Sequence, residues 1–149
     1  MPIVRGCNLP DELLYDVQNH TWFKELDDGT VRIGMTAVAT ALAGELVAFT
    51  PKKVGRAVKA GKSCATIESG KWVGPARSAA AGEVMATNDA LVEQPSLANE
   101  DPYGAGWMIV LKPDAWDEVR PGLTLGADVS PAYEAKMDED AFEGCAAAQ

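Results

Sequence analysis

The sequence has 149 residues, 47% of them hydrophobic, and a formal net charge of −9. Its length favours one domain, and its apolar content excludes a disordered chain. The net negative charge argues against nucleic acid and anionic membranes as partners, because both bind basic surfaces. It is compatible with basic protein partners. The sequence has neither an apolar stretch near the ~20 residues of a membrane span nor a signal-peptide pattern, so we expect a cytoplasmic protein.

The first half of the chain predicts a hairpin followed by a short helix. Residues 22–26 and 31–35 have the composition of strands, and an Asp-Gly pair between them supplies the positive φ angles of a tight turn. Thr36 is a candidate N-cap for an alanine-rich helix that ends at Gly44. The N-terminal region is therefore expected to add a hairpin-helix unit to the fold.

The rest of the chain predicts short strands separated by turns. The predicted strands are residues 45–49, 54–58, 63–68, 73–78, 82–86 and 107–111. A polar loop spans residues 94–106. Ser130 and Pro131 predict the N-cap and first residue of a C-terminal helix, in which Tyr133 and Met137 share one face. Short strands with frequent turns indicate an antiparallel sandwich or barrel with helical additions.

After the last helix, the chain is expected to form a tail that does not pack against the domain. Six Asp and Glu residues lie between positions 128 and 143, which is typical of a solvated helix face followed by a tail. We therefore predict a single domain over residues 1–149. Its core lies at about residues 10–137, and a flexible acidic tail follows at about 138–149.

The three cysteines are far apart in the sequence and odd in number. Cys7, Cys64 and Cys145 fit neither a CxxC metal pattern nor a disulfide framework. Cys64 falls in a predicted strand and is interpreted as a buried apolar filler. Cys7 and Cys145 lie near the ends of the chain, and a redox role for them is left open.

Lys71 is the residue that the sequence singles out. It lies between two similar segments, residues 43–47 and 81–85, which are offset by 38 positions. Similar β segments on both sides of one lysine predict a pseudo-symmetric β domain with that lysine at a hairpin tip. A turn lysine alone would be only a solvated charge, but an exposed lysine in this setting is free for covalent modification. The pattern indicates a carrier protein.

The sequence offers little for catalysis by the chain itself. It has no nucleophile–base pair with a characteristic spacing, no cluster of metal ligands and no phosphate loop. His20 is the only histidine, and a packed, hydrogen-bonded ring is favoured over a general base because no partner for catalysis is visible. We expect a protein that is not an enzyme and has no catalytic residue and no metal site.

Several motifs occur together in register between about residues 10 and 137. They are His20 with Trp22, Gly34-Met35-Thr36, Glu68-Ser69-Gly70-Lys71, and Pro102-Tyr103-Gly104-Ala105-Gly106-Trp107. This set resembles the H protein of the glycine cleavage system, a lipoylated carrier. The resemblance implies a mainly β fold with short helices, the barrel-sandwich hybrid of lipoyl and biotinyl domains, with an N-terminal hairpin-helix and a C-terminal helix added. It also implies lipoic acid as a covalent cofactor on Lys71.

The resemblance assigns roles to residues around the lysine. Lipoyl domains carry one glycine at a set distance before the lysine and another at a set distance after it, and these positions are Gly55 and Gly82 here. The resemblance implies that these two glycines help the attaching enzyme recognise the site and shape the hairpin that carries Lys71. Glu68 is implied to help a lipoate ligase or other lipoyl-attaching enzyme recognise the site. Dihydrolipoamide dehydrogenase is a further implied partner.

Two regions depart from the H proteins of glycine cleavage. Thr21 stands where those proteins have a glutamate that is thought to hold the aminomethyl group. After the lysine, the segment from Trp72 to Arg77 replaces the usual small residues. Trp72 is expected either to shield the arm or to pack over the hairpin, and Arg77 is either a surface cation or a ligand for an anionic cargo. His20 is expected beside the groove in which the arm rests.

With these two departures, the sequence resembles a sister group, the lipoate-binding proteins of bacterial sulfur oxidation. Those proteins work with a heterodisulfide reductase-like complex. We therefore predict a carrier whose lipoyl-lysine arm moves a sulfur-containing intermediate and electrons between partner enzymes in cytoplasmic sulfur oxidation. One alternative is the H protein of glycine cleavage, which carries the aminomethyl group. The alternative of another class is an unlipoylated interaction module.

Overall fold

The computed structural model describes residues 3–145, within which the chain forms short strands and short helices. The strands are β1 Ile3–Val4, β2 Cys7–Asn8, β3 Leu14–Asp16, β4 Thr21–Glu25, β5 Val31–Met35, β6 Leu46–Pro51, β7 Ala57–Val58, β8 Lys62–Ser69, β9 Val73–Ser78, β10 Gly82–Thr87, β11 Ile109–Pro113 and β12 Thr124–Leu125. The α-helices are α1 Ala37–Ala43, α2 Asp89–Glu93, α3 Leu97–Glu100, α4 Trp116–Val119 and α5 Val129–Glu139. Over residues 3–145, none of the helices has the length and apolar character needed to span a membrane.

Two antiparallel sheets form the body of the molecule. The larger sheet has the strand order β12-β3-β4-β5-β11-β10-β7, and the smaller one has the order β6-β8-β9. Strands β1 and β2 form a separate antiparallel pair. Buried side chains from both sheets make one hydrophobic cluster, which includes Phe23, Ile33, Ile67 and Leu111. The fold is the predicted barrel-sandwich hybrid with short helices.

A second hydrophobic cluster lies beneath α5 and joins the chain ends to the larger sheet. Its large, fully buried side chains include Tyr15, Trp22, Tyr133 and Met137. Tyr133 and Met137 both come from α5, which confirms that they share a face. The indole N–H of Trp22 donates to the carbonyl oxygens of Met35 (3.0 Å) and Pro102 (2.9 Å), so this cluster also ties down the loop before β11.

Local sequence signals correctly predicted the hairpin and the first helix. Strands β4 and β5 pair in antiparallel register, and Gly29 in their turn has a φ of +85°. Thr36 caps α1 because its Oγ1 accepts a hydrogen bond from the Ala39 N–H (3.2 Å). Gly44 ends the helix at a φ of +84°, and its N–H donates to the Thr40 carbonyl oxygen (2.9 Å).

Three predicted elements differ from the structure. The strand predicted at 54–58 is only β7, because Gly55 adopts a φ of +90° and turns the chain before it. The loop predicted at 94–106 contains α3. The last helix starts at Val129 instead of Pro131, and Asp128 instead of Ser130 takes the N-cap position, because a 3-10 turn at Gly126–Asp128 leads directly into the helix. Pro131 still lies in the first turn, where its missing N–H leaves no carbonyl unpaired.

The prediction that the cysteines form no disulfide framework is wrong for one pair. Cys7 and Cys145 are joined by a disulfide across a sequence separation of 138. They meet because the Cys145 N–H donates to the Arg5 carbonyl oxygen (3.0 Å), and the Arg5 guanidinium in turn donates to the Phe142 carbonyl oxygen (2.8 Å). Cys64 is a buried free thiol whose pKa is raised to about 12 by burial, so its interpretation as a filler is confirmed.

The predicted acidic tail begins too early. Helix α5 continues through position 138 to Glu139, and Cys145 is buried against the N-terminal strands. The charged residues of this region are used in contacts, since Arg5 pairs with Glu134 (3.0 Å) and also with Asp138. Residues 146–149 of the predicted tail lie outside the described residues.

Candidate lipoyl site

Lys71 lies at the tip of the hairpin formed by β8 and β9. Below it the turn is closed by the Ser69 N–H, which donates to the Trp72 carbonyl oxygen (2.8 Å). The Ser69 side chain is buried, and its Oγ lies 3.4 Å from the Lys71 backbone nitrogen, which donates to it. Lys71 itself is exposed. The hairpin therefore holds the lysine backbone in place and leaves its side chain accessible, as the sequence predicted.

The lysine side chain reaches back over the end of α1. A Cβ added at Gly44 would lie 3.1 Å from Lys71 Cε and 3.7 Å from Nζ. Because Gly44 also needs a φ of +84°, this position favours glycine on two counts. Gly44 belongs to the first of the two similar segments, so the sequence identified the segment but not its contact with the lysine.

A cleft of about 600 Å³ opens beside Lys71, between α1, the start of β4 and the strand β9. Its apolar walls are Met35, Ala39, Leu42, Ala43, Ile67, Pro75 and Ala76. Its remaining lining residues are Gln18, Asn19, His20, Thr21, Lys71, Trp72 and Arg77. The structure thus brings together four of the predicted site residues: Lys71, Trp72, Arg77 and His20. The sequence did not predict that α1 forms a wall of the cleft. The one indication in the sequence was Leu42, a large apolar residue on an alanine-rich helix.

Trp72 covers one end of the cleft. Its side chain is 41% exposed, and a Cβ added at Gly74 would lie 2.4 Å from its Cζ2 atom. The indole therefore lies flat across Gly74 on the edge of β9. Trp72 packs over the hairpin and also lines the cleft, so shielding of the arm stays a prediction.

His20 is held as a neutral ring at the inner side of the cleft. Its Nδ1 lies 3.2 Å from the Tyr133 hydroxyl, and the two rings stack at 5.7 Å. Burial, followed by the charge of Lys136, lowers the pKa of His20 to about 4, against the opposing effects of Asp140 and Asp16. The ring is therefore uncharged near pH 7, and its 3.9 Å contact with Asp140 is not an ion pair there.

The free energy of unfolding is expected to rise with pH between about 4 and 6.5 through His20. In this range the unfolded chain binds a proton that the folded ring excludes, so the contribution is complete above pH 6.5 and is lost as the pH falls through about 4. His20→Asn removes the titration, and asparagine tolerates the φ of +56° at this position. Urea denaturation should show the difference between wild type and variant shrinking at low pH. A constant difference would contradict the assignment.

Thr21 and Arg77 both line the cleft, but they differ in exposure. Thr21 is 1% exposed, and its hydroxyl has no hydrogen-bond partner among residues 3–145. A buried hydroxyl without a hydrogen-bond partner costs free energy of folding. Arg77 is exposed, and its guanidinium donates to the Gly61 carbonyl oxygen (3.2 Å).

The other predicted site residues do not line the cleft. Glu68 is exposed on β8, close to the lysine along the same hairpin. Gly55 lies in the loop after β6, where its N–H donates to the Val84 carbonyl oxygen (2.8 Å). Gly82 lies in β10, and a Cβ there would be 2.2 Å from the Lys112 carbonyl oxygen. Neither glycine is part of the lysine hairpin, so their predicted role in its geometry is corrected to a role in the surrounding strands.

The site fits a lipoyl group on Lys71. The lysine amine is exposed for acylation, its side chain starts at the edge of a cleft, and the cleft walls are largely apolar. Such walls suit an aliphatic chain that ends in a sulfur ring.

Comparisons with known proteins agree with this geometry. The sequence model of the family described as "Glycine cleavage H-protein" matches residues 13–135. The chain is 52% identical to glycine cleavage system H protein 5 of Aquifex aeolicus over 80% of this chain and 83% of that protein. It is 48% identical to H protein 2 of the same organism, over 73% of this chain and 68% of that protein.

A solved structure gives the same result. The crystal structure of a glycine cleavage system H protein from Mycobacterium marinum has a TM-score of 0.72 and 32% sequence identity. The match covers 85% of this chain and 97% of that one. The chain belongs to the glycine cleavage H-protein family, whose members are carriers that hold lipoate on a lysine and work with partner enzymes.

Proposed function

We propose that Lys71 is the lysine that carries the lipoyl group and that the cleft beside it is where the arm rests. The observation that supports this most strongly is the exposed lysine at a hairpin tip, with its side chain at the edge of a cleft of about 600 Å³. A lipoyl group supplies a dithiol–disulfide pair, which holds a substrate group and transfers electrons between enzymes.

The residues of the chain then have separate tasks. The Ser69 turn fixes the point of attachment, and Gly44 leaves space for the lysine side chain at the end of α1. The apolar walls from α1 and β9 exclude water from the resting arm. Glu68, close to the lysine and exposed, is available to the lipoyl-attaching enzyme.

Lys71→Arg is expected to abolish lipoylation completely, because arginine has no amine that forms the amide. Wild type produced with a lipoate ligase and lipoate should gain one lipoyl increment in its intact mass, and the variant should gain none. Lys62→Arg, on the same strand as the modified hairpin, is the matched control and should be modified like wild type. Wild type without an increment under several attaching enzymes would instead support an unlipoylated interaction module.

Glycine cleavage is the first candidate process for the arm. The matching family and the named relatives all refer to it, and in that process the arm holds an aminomethyl group. Dihydrolipoamide dehydrogenase would then reoxidise the arm. The comparisons favour this candidate over the sulfur oxidation predicted from the sequence, which none of them names.

Sulfur oxidation with a heterodisulfide reductase-like complex is the second candidate, and one observation favours it. Among the described residues, those that line the cleft include no acidic side chain, and Thr21 stands where the family's glutamate would be. An aminomethyl group is a protonated amine near pH 7, for which a carboxylate is the natural partner. Arg77, an exposed cation in the cleft lining, suits an anionic sulfur-containing group better.

The two candidates differ in whether this protein replaces an H protein of known activity. The lipoylated chain should support glycine oxidation with the other components of glycine cleavage if the first candidate holds. Failure of the wild type, together with gain of activity in Thr21→Glu, would support the second. The occurrence of differently numbered H proteins in Aquifex aeolicus is consistent with carriers that serve separate processes.

A further inference from the structure

The positive charge of this acidic protein is concentrated in one part of the chain. Of its 13 Lys and Arg residues, seven lie between positions 52 and 77, whereas only one of its 22 acidic residues, Glu68, lies there. The remainder of the molecule is correspondingly more acidic than the net charge of −9 indicates.

The fold brings several of these cations onto one face. Lys52, Lys59, Lys62 and Arg77 line a shallow cavity of about 460 Å³ at the end of the smaller sheet, and we call these four residues the basic surface. All four side chains are exposed. Arg77 also lines the cleft beside Lys71, so the basic surface is continuous with the arm site.

Within residues 3–145, no ion pair neutralises the basic surface. The ion pairs among residues 3–145 use other cationic residues, namely Arg5, Arg120 and Lys136. Like charges that line one cavity repel each other, and salt weakens this repulsion. A cluster of this kind is stabilised by an external group of opposite charge.

The exposure and charge of the basic surface indicate which kind of negatively charged partner it binds. A small anion would need polar atoms that enclose it, whereas these four side chains are exposed around an open cavity. An extended polyanion such as nucleic acid would be repelled by the acidic remainder of the molecule. A compact patch of carboxylates on a folded protein matches both the size of the surface and its sign.

We infer that the basic surface docks a protein partner that presents clustered carboxylates. This goes beyond the proposed carrier function and adds an acidic partner to the basic partners with which the net charge is compatible. Because Arg77 belongs to both sites, a partner docked on the basic surface has its edge at the mouth of the cleft. Electrostatic steering would then raise the association rate and orient the partner toward Lys71.

Hexaglutamate is the probe for this inference, and the unmodified protein is sufficient, so the result does not depend on lipoylation of Lys71. In ¹⁵N-labelled protein, amides at residues 52–62 and 77 should shift and saturate on titration. The shifts should weaken as NaCl is raised from about 0.02 to 0.2 M. Lys59→Glu with Lys62→Glu should raise the apparent Kd by at least about tenfold.

The control carries the same change of charge on the larger sheet. Lys24 and Lys112 are exposed on β4 and β11, so Lys24→Glu with Lys112→Glu tests net charge alone and should leave the Kd within about twofold of wild type. Equal losses in the two double variants would overturn the inference, and so would shifts scattered over the whole surface. Tighter binding of a short DNA duplex at the same residues would overturn it in favour of nucleic acid.

Discussion

Reduction of the Cys7–Cys145 disulfide is expected to lower the free energy of unfolding by about 4 kcal/mol. The bond closes a loop across a sequence separation of 138, so the oxidised unfolded chain loses far more conformational freedom than the reduced one. The hydrogen bonds from Arg5 to Phe142 and from Cys145 to Arg5 remain after reduction, but they constrain only the folded state. Urea denaturation with and without a thiol reductant measures the difference.

The third cysteine, Cys64, does not interfere with the measurement of the disulfide's effect. Cys64 is buried, and its pKa is raised to about 12, so in the folded protein its thiol is protected from alkylation. Counting alkylated thiols before unfolding therefore reports the state of the other two. A variant with Cys7→Ser and Cys145→Ser should have the stability of the reduced protein and should not respond to the reductant. A reduced wild type with unchanged stability would contradict the expectation.

The effect should also reach the arm site. The disulfide fixes the segment that follows α5, and α5 carries Tyr133, whose hydroxyl contacts the His20 ring at the cleft. Loosening that segment weakens the support of α5 without touching the lysine hairpin, which lies on the smaller sheet. Reduction of the disulfide is therefore expected to loosen the contact between Tyr133 and His20.

The parts of the structure that could be predicted from sequence depend on neighbours in the chain. The Asp-Gly turn, the Thr36 cap, the Gly44 stop and the turn at Lys71 all use residues within a few positions of one another. Each signal reports a local backbone preference, such as a positive φ or a capped N–H, and tertiary packing did not override it.

The features that were missed depend on contacts between distant segments. The cysteine pair is an example, because nothing in the spacing of Cys7 and Cys145 shows that β1, β2 and the end of α5 meet. The basic surface is another, because net charge hides a local excess of the opposite sign. The lining of the cleft combines α1 with β4 and β9, and the repeat around Lys71 gave no indication of the helix.

Gly82→Ala is expected to lower the free energy of unfolding by about 3 kcal/mol. Gly82 pairs with Val58 on one side and Pro113 on the other, and an added Cβ would lie 2.2 Å from the Lys112 carbonyl oxygen. The obstructing atom belongs to the backbone of β11, so a side-chain rotation cannot relieve the overlap. The two strands must separate, which weakens the ladder that joins β10 to β11. Urea denaturation at neutral pH measures the loss.

The matched control is Gly122→Ala, since a Cβ at that exposed glycine meets no atom within 4 Å, and its stability should remain within about 0.5 kcal/mol of wild type. Lipoylation separates the two roles implied for Gly82. At a temperature where the variant is fully folded, its rate of modification should equal that of wild type, because Gly82 is not part of the hairpin that presents Lys71. A folded variant that is modified slowly would instead assign this glycine to recognition. Equal rates would mean that the second of the two glycines flanking the lysine is required for the close approach of two strands.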